Sequence, residues 1–257
     1  MPLHPALQGS AGLLLDLDGT LYEDRRPILG AVEIVRRLRR MRLKVRFVTN
    51  TTSKGRAAIV EHLHALGFEA KPEEIFNPGV AAAALLRHEG AKAALFVPDA
   101  ALPDFKGVAR DDEHPDVVVV GDLGDGWTFE TLNRAFRLVH EKGARLMGLG
   151  RTRYWQAADG LRLDVGPFVA ALEAATGQHA VVVGKPDPAF FLAAAADLKV
   201  EPGRLAVVGD DVETDVRAAQ RAGLRGVLVR TGKFREKDLA GGLAPTLVLD
   251  SVADLVA

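Results

Sequence analysis

The chain has 257 residues, with 48% hydrophobic and 26% charged side chains and a formal net charge of -1. That length suits a domain carrying a large insertion, and the near-neutral charge gives no global pull toward nucleic acid or an anionic membrane. The absence of cysteine excludes disulfides, thiolate metal sites and a cysteine nucleophile, and it accords with a cytoplasmic protein.

The first predicted element is a strand over 13–16, in the stretch LLLDLDGT, which ends on Asp16 and Asp18. Residues two apart in a strand share a face, so both carboxylates reach the mouth of a sheet. A helix follows over 30–41, where Ala31, Ile34, Val35, Leu38 and Met41 recur at a spacing of three or four. Arg36, Arg37, Arg39 and Arg40 fall on its other faces and read as solvated, since no aromatic side chains interleave to stack bases. The next strand, 45–49, ends VRFVTN on Thr49 and Asn50, and a second helix runs from Ser53 as N-cap to Gly67. Its His62 and His64 point to different sides and cannot chelate one ion.

Beyond residue 78, strands at 93–97, 117–121 and 145–149 alternate with helical segments. A strand at 181–183 runs into GKPDP with Lys185, and one at 205–209 runs into GDDVETD with Asp210, Asp211, Glu213 and Asp215. Strands at 227–229 and 246–249 close the series, and the alternation predicts an α/β fold with a largely parallel sheet. No apolar run reaches the roughly 18 residues of a membrane span.

If the acid-bearing strands are neighbours, several carboxylates converge. Two unit charges about 4 Å apart cost roughly 4 kcal/mol at an effective dielectric near 20, so the cluster implies a cation. Oxygen ligands with no cysteine and no histidine pair select Mg²⁺. A calcium loop starting at Asp16 is rejected, because Leu21 and Pro27 stand where Gly and Glu are required. Acid pair, hydroxyl, lysine and acid cluster at successive strand ends fit phosphoryl transfer to a carboxylate, with a second acid to move the proton.

These motifs, DLDGT at 16–20, TN at 49–50, GKPDP at 184–188 and GDDVETD at 209–215, resemble those of the haloacid dehalogenase superfamily, in the same order. The resemblance implies a Rossmann-like core in which Asp16 is the nucleophile and Asp18 the general acid/base. It further implies that Thr49, Asn50 and Lys185 bind the phosphoryl group. Asp16, the Asp18 carbonyl and Asp210 would hold Mg²⁺, with Asp211 or Asp215 behind them. Only about thirty residues separate Asp18 from Thr49, so the spacing leaves no room for a cap there. The chain therefore resembles the C2-capped, NagD-like phosphatases, with a core at 1–77 and 181–257 and an α/β cap at 78–180. In a similar subgroup of animal phosphatases Ser often stands where this chain has Asp18.

The expected substrate is a small phosphorylated molecule: a phosphomonoester, a phosphoramidate or pyrophosphate. In the cap, Arg151, Arg153 and Tyr154 beside Trp155 are candidates for specificity, against the alternative that they are solvated or packed within the cap. The resemblance also points to a homodimer formed through the cap, while the near-neutral charge and the lack of a long apolar run point to neither nucleic acid nor membrane as partner. A phosphotransferase or mutase using the same residues, and a non-catalytic phosphate-binding module, are the competing readings.

Overall fold

The strand Gly12–Asp16 is buried at every position, as expected of an apolar run flanked by strands and covered on both faces. In the computed structural model, which describes residues 2–157, 159–241 and 244–256, it lies inside a six-stranded sheet. The order is Leu247–Leu249, Arg225–Val229, Leu205–Gly209, Gly12–Asp16, Lys44–Val48, Ile75–Phe76, and every pairing is parallel. The chain winds one way from Gly12–Asp16 through Lys44–Val48 and the other way from Leu205–Gly209 outward. Such a reversal opens a crevice at the carboxyl ends of the two central strands.

The helix Ala31–Arg40 buries Ala31, Ile34, Val35 and Leu38 against this sheet's core, which is the predicted stripe. The second helix is shorter than predicted, Arg56–Ala65, and Ser53 lies ahead of it rather than at its N-cap. Its Ile59, Val60 and Leu63 join the same core.

Residues up to Thr49, Ile59–Phe76 and the chain from Lys185 onward form one compact unit; Asn50–Ala58 and Asn77–Gly184 form a second. These limits differ from the sequence-based division at 77/78 and 180/181. The strand Val181–Val182 pairs with Met147 and Gly148 of the second unit, and residues 50–58 are held there by Arg56, whose Nε donates to the buried Asp104 at 2.9 Å.

The second unit has its own parallel sheet, ordered Val181–Val182, Arg145–Gly148, Val117–Val120, Lys92–Phe96, Ala109–Arg110. Val117 and Val119 pack on one side with Ala82, Ala83 and Leu86 of the helix Pro78–Glu89. Val118 and Val120 pack on the other with Leu138 of Phe129–His140 and Val169 of Val165–Thr176. Covering both faces explains the run of four valines. The antiparallel pair Tyr154–Ala157 and Gly160–Leu163 completes the unit.

Candidate active site

Three strand ends of the first unit and the segment that begins at Lys185 supply the site. Asp16 closes Gly12–Asp16, Thr49 follows Lys44–Val48, and Asp210 follows Leu205–Gly209. Lys185 enters from the segment before the helix Pro188–Leu198. All four side chains are buried, a costly place for charge unless each is paired.

Lys185 meets that requirement in one step. Its Nζ donates to Asp16 Oδ1 at 2.5 Å and to Asp215 Oδ1 at 2.7 Å. Burial alone would depress the lysine, but the Asp16 and Asp215 carboxylates outweigh it and hold the ammonium well above its usual range. One ammonium cannot offset all the acid present. Burial is the main reason Asp215 is pushed up to about 7, with the Lys185 charge opposing it, and burial with the charge of Asp16 pushes Asp210 up to about 6. The cluster as a whole therefore holds more negative charge than Lys185 offsets.

Asp16, Asp210 and Asp215 can each present a carboxylate oxygen with all three within 4.8 Å of one another. Asp210 Oδ2 accepts from the Lys233 backbone N–H at 2.7 Å, whereas its Oδ1 is buried without a hydrogen-bond partner among the described residues. Three grouped carboxylates, one of which keeps an unpartnered oxygen, are a donor set suited to a hard divalent cation. The backbone is shaped around it. Gly19 has φ +82°, and a Cβ there would run into the Asp210 carboxylate, so the glycine of DLDGT lets the loop pass Asp210.

The structure divides the two acids expected behind the metal. Asp211 Oδ1 accepts from the N–H groups of Glu213 and Thr214, capping the π-helical turn Val212–Arg217, and is committed to that turn. Asp215, from within the turn, joins the buried cluster. Wider turns of this kind recur where a side chain must be re-aimed.

Asp18 is exposed, unlike its neighbours. The buried Tyr22 lies beside it and hydrogen-bonds its carboxylate; burial, then the Asp18 and Asp16 charges, push the phenol up. Tyr22 and the buried Thr20, whose Oγ1 donates to Asp16 Oδ2 at 3.4 Å, escape the motif reading. The only cue for Thr20 is its place within DLDGT, and Tyr22 reads as an ordinary apolar-side residue of a turn. Thr49 donates its backbone N–H to Phe76. Asn50 falls in the second unit with the segment 50–58.

The cap candidates are not gathered at one place. Arg151 makes a bidentate pair with Glu173, at 2.9 and 2.7 Å, which raises the guanidinium and lowers the carboxyl. Arg153 lies over the exposed Tyr154 ring at 6.0 Å. Trp155 instead lines a cavity of about 510 Å³ with Asp122, Asp125, Arg162 and Phe168.

Similarity to known proteins runs along the whole chain. A family model described as haloacid dehalogenase-like hydrolase matches residues 13–108, and a second HAD-hydrolase-like model matches 182–255. The chain is 43% identical over 237 residues to phospholysine phosphohistidine inorganic pyrophosphate phosphatase of Bos taurus, covering 90% of this chain and 87% of that one. It is 44% identical over 226 residues to haloacid dehalogenase-like hydrolase domain-containing protein 2 of the same species, covering 88% and 86%. Among solved structures, a p-nitrophenyl phosphatase from Archaeoglobus fulgidus superposes with a TM-score of 0.86 at 29% identity, covering 96% and 98%. NagD of Escherichia coli shares the fold, with a TM-score of 0.88 at 24% identity over 95% and 98%. Parallel core sheet, α/β cap and acid-lined strand ends all agree: this chain belongs to the haloacid dehalogenase-like hydrolases, among their C2-capped, NagD-like phosphatases.

Proposed function

We propose that the protein is a Mg²⁺-dependent phosphohydrolase that works through an aspartyl-phosphate on small phosphorylated molecules. The observation that carries this reading is the buried cluster of Asp16, Lys185, Asp210 and Asp215, in which one ammonium pairs with two of three grouped carboxylates and one carboxylate oxygen lacks a partner among the described residues. Asp16, Asp210 and the Asp18 carbonyl would hold the ion, with Asp215 beside them. When bound, Mg²⁺ would supply positive charge to offset the negative charge on the phosphoryl oxygens in the transition state.

In the first half-reaction an Asp16 oxygen forms a bond to phosphorus as the bond to the leaving oxygen or nitrogen breaks, and protonated Asp18 donates its proton to that leaving atom. Lys185 orients Asp16 through the 2.5 Å hydrogen bond and lowers the repulsion between carboxylate and phosphate. In the second, Asp18 takes a proton from water, the hydroxide adds to phosphorus, and Asp16 leaves as carboxylate. The exposure of Asp18 supports its role as the group that exchanges protons with substrate and water. Thr49 and Asn50 would donate hydrogen bonds to the phosphoryl oxygens. The names of the relatives support phosphoramidates, pyrophosphate and aryl phosphates as candidate substrates.

Hydrolysis of p-nitrophenyl phosphate is expected to need Mg²⁺, and Asp16→Asn is expected to lower kcat by at least about a thousandfold. Equal turnover in that variant, or full turnover in the presence of a chelator, would exclude the reading.

A further inference from the structure

The basic segment following the first helix leads to a second feature of the first unit. A cavity of about 440 Å³ is lined by Arg39, Arg42, Lys44 and Arg46, with Glu74 as its one acid and Leu43, Val45 and Leu198 as its apolar wall. Lys44 is level with Gly12 in the sheet, whereas Asp16 is level with Val48. Four residues of strand rise therefore put this cavity about 13 Å from the carboxylate cluster, at the amino ends of the strands.

Two of its cations are not fully used within the chain. Arg39 spends one nitrogen on Glu74 Oε2 and the Glu69 carbonyl, both at 2.8 Å, while its buried Nε donor has no acceptor among the described residues. Arg42 is exposed, and its side chain has no hydrogen-bond or ion-pair partner among the described residues. It also holds φ +60°, just past the end of the helix Ala31–Arg40, a position that glycine occupies at lowest cost. A long cation kept in a strained conformation at the lip of a basic cavity needs a reason outside the chain's own packing. Lys44 and Arg46 line the cavity as well, tied to the Leu198 carbonyl and to Asp197.

We propose that this cavity is an accessory site for a small phosphate-bearing molecule with at least two negative charges and an apolar or planar body. Guanidinium edges match phosphate oxygens in pairs, and the exposed Arg42 guanidinium, with the exposed Lys44 ammonium beside it in the lining, provides the donors. Leu43, Val45 and Leu198 take the body of the ligand. Nucleic acid is the poorer match, because no aromatic side chain lines the cavity to stack bases. The site is independent of the phosphatase reading and stands or falls without it.

The test is residue-resolved NMR on the full chain carrying Asp16→Asn, titrated with ADP. Saturable shifts are expected at the Nε–H signals of Arg39 and Arg46 and at the Arg42 and Leu43 amides. Arg42→Gln and Lys44→Gln are each expected to weaken this response about tenfold, the loss of one charge-assisted hydrogen bond. Arg42→Gly, which suits the backbone and removes the same charge, should match Arg42→Gln. No shift at these residues, or unchanged affinity in the folded variants, overturns the proposal, as does displacement of ADP by a tenfold lower concentration of an RNA decamer.

Discussion

Lys185 is the residue on which the buried charges turn. Its ammonium touches both Asp16 and Asp215 in a setting from which water is excluded. Removing one partner of such a pair leaves the other charge buried and uncompensated, which typically costs about 3–5 kcal/mol. Lys185→Met is therefore expected to lose activity and to lower the unfolding free energy by about 3 kcal/mol at pH 8, read by urea denaturation. The deficit should shrink at pH 5, where protons can take the place of the lost ammonium; a deficit that does not vary with pH would contradict this account. The motif reading located Lys185 but not its partnership with Asp215, because thirty residues of chain separate them.

At the scale of elements, each unit depends on polar groups that terminate or join its pieces. Asn77 caps the helix Pro78–Glu89 through Val80 N–H, and its amide donates to the buried Asp104 at 2.9 Å. Asp104 also receives Arg56 Nε and so holds the segment 50–58 in the second unit. Asp104→Ala would leave the Asn77 amide buried without this acceptor. A loss of about 2–3 kcal/mol in denaturant unfolding is expected, and Asn77→Ala combined with it should cost less than the sum of the two single changes. Additive costs would show that the two side chains act separately. None of this network is legible in the sequence, where Asp104 reads as a loop acid and Arg56 as an ordinary helix residue. The first helix, by contrast, is legible because its burial repeats at the helical period.

For the whole molecule, the surplus of buried acid links stability to pH and to metal. Asp210 and Asp215 have an ordinary value of 3.8, and the fold raises them to about 6 and about 7. The folded chain therefore keeps protons that the unfolded chain releases between pH 4 and 7. Stability from these groups is full below pH 4 and is lost as pH rises through 6 and 7. A divalent cation competes with the same protons, so Mg²⁺ is expected to raise the thermal midpoint more at pH 7.5 than at pH 5. An equal shift at both pH values would place Mg²⁺ elsewhere. The sequence by itself determined the α/β class, the parallel order of motifs and the acids, hydroxyl and lysine at strand ends, because strand and helix periods and glycine turns are local in the chain. The tertiary structure decided that Asp215 rather than Asp211 joins Asp16 and Asp210, that Asp210 keeps an oxygen unpartnered among the described residues, and that residues 50–58 fold with the second unit. It alone also left Arg42 unpaired among the described residues, at the edge of a basic cavity. Those outcomes depend on which buried charges meet across long stretches of chain, and in a low-dielectric interior that meeting, more than the residue type, sets what each group can do.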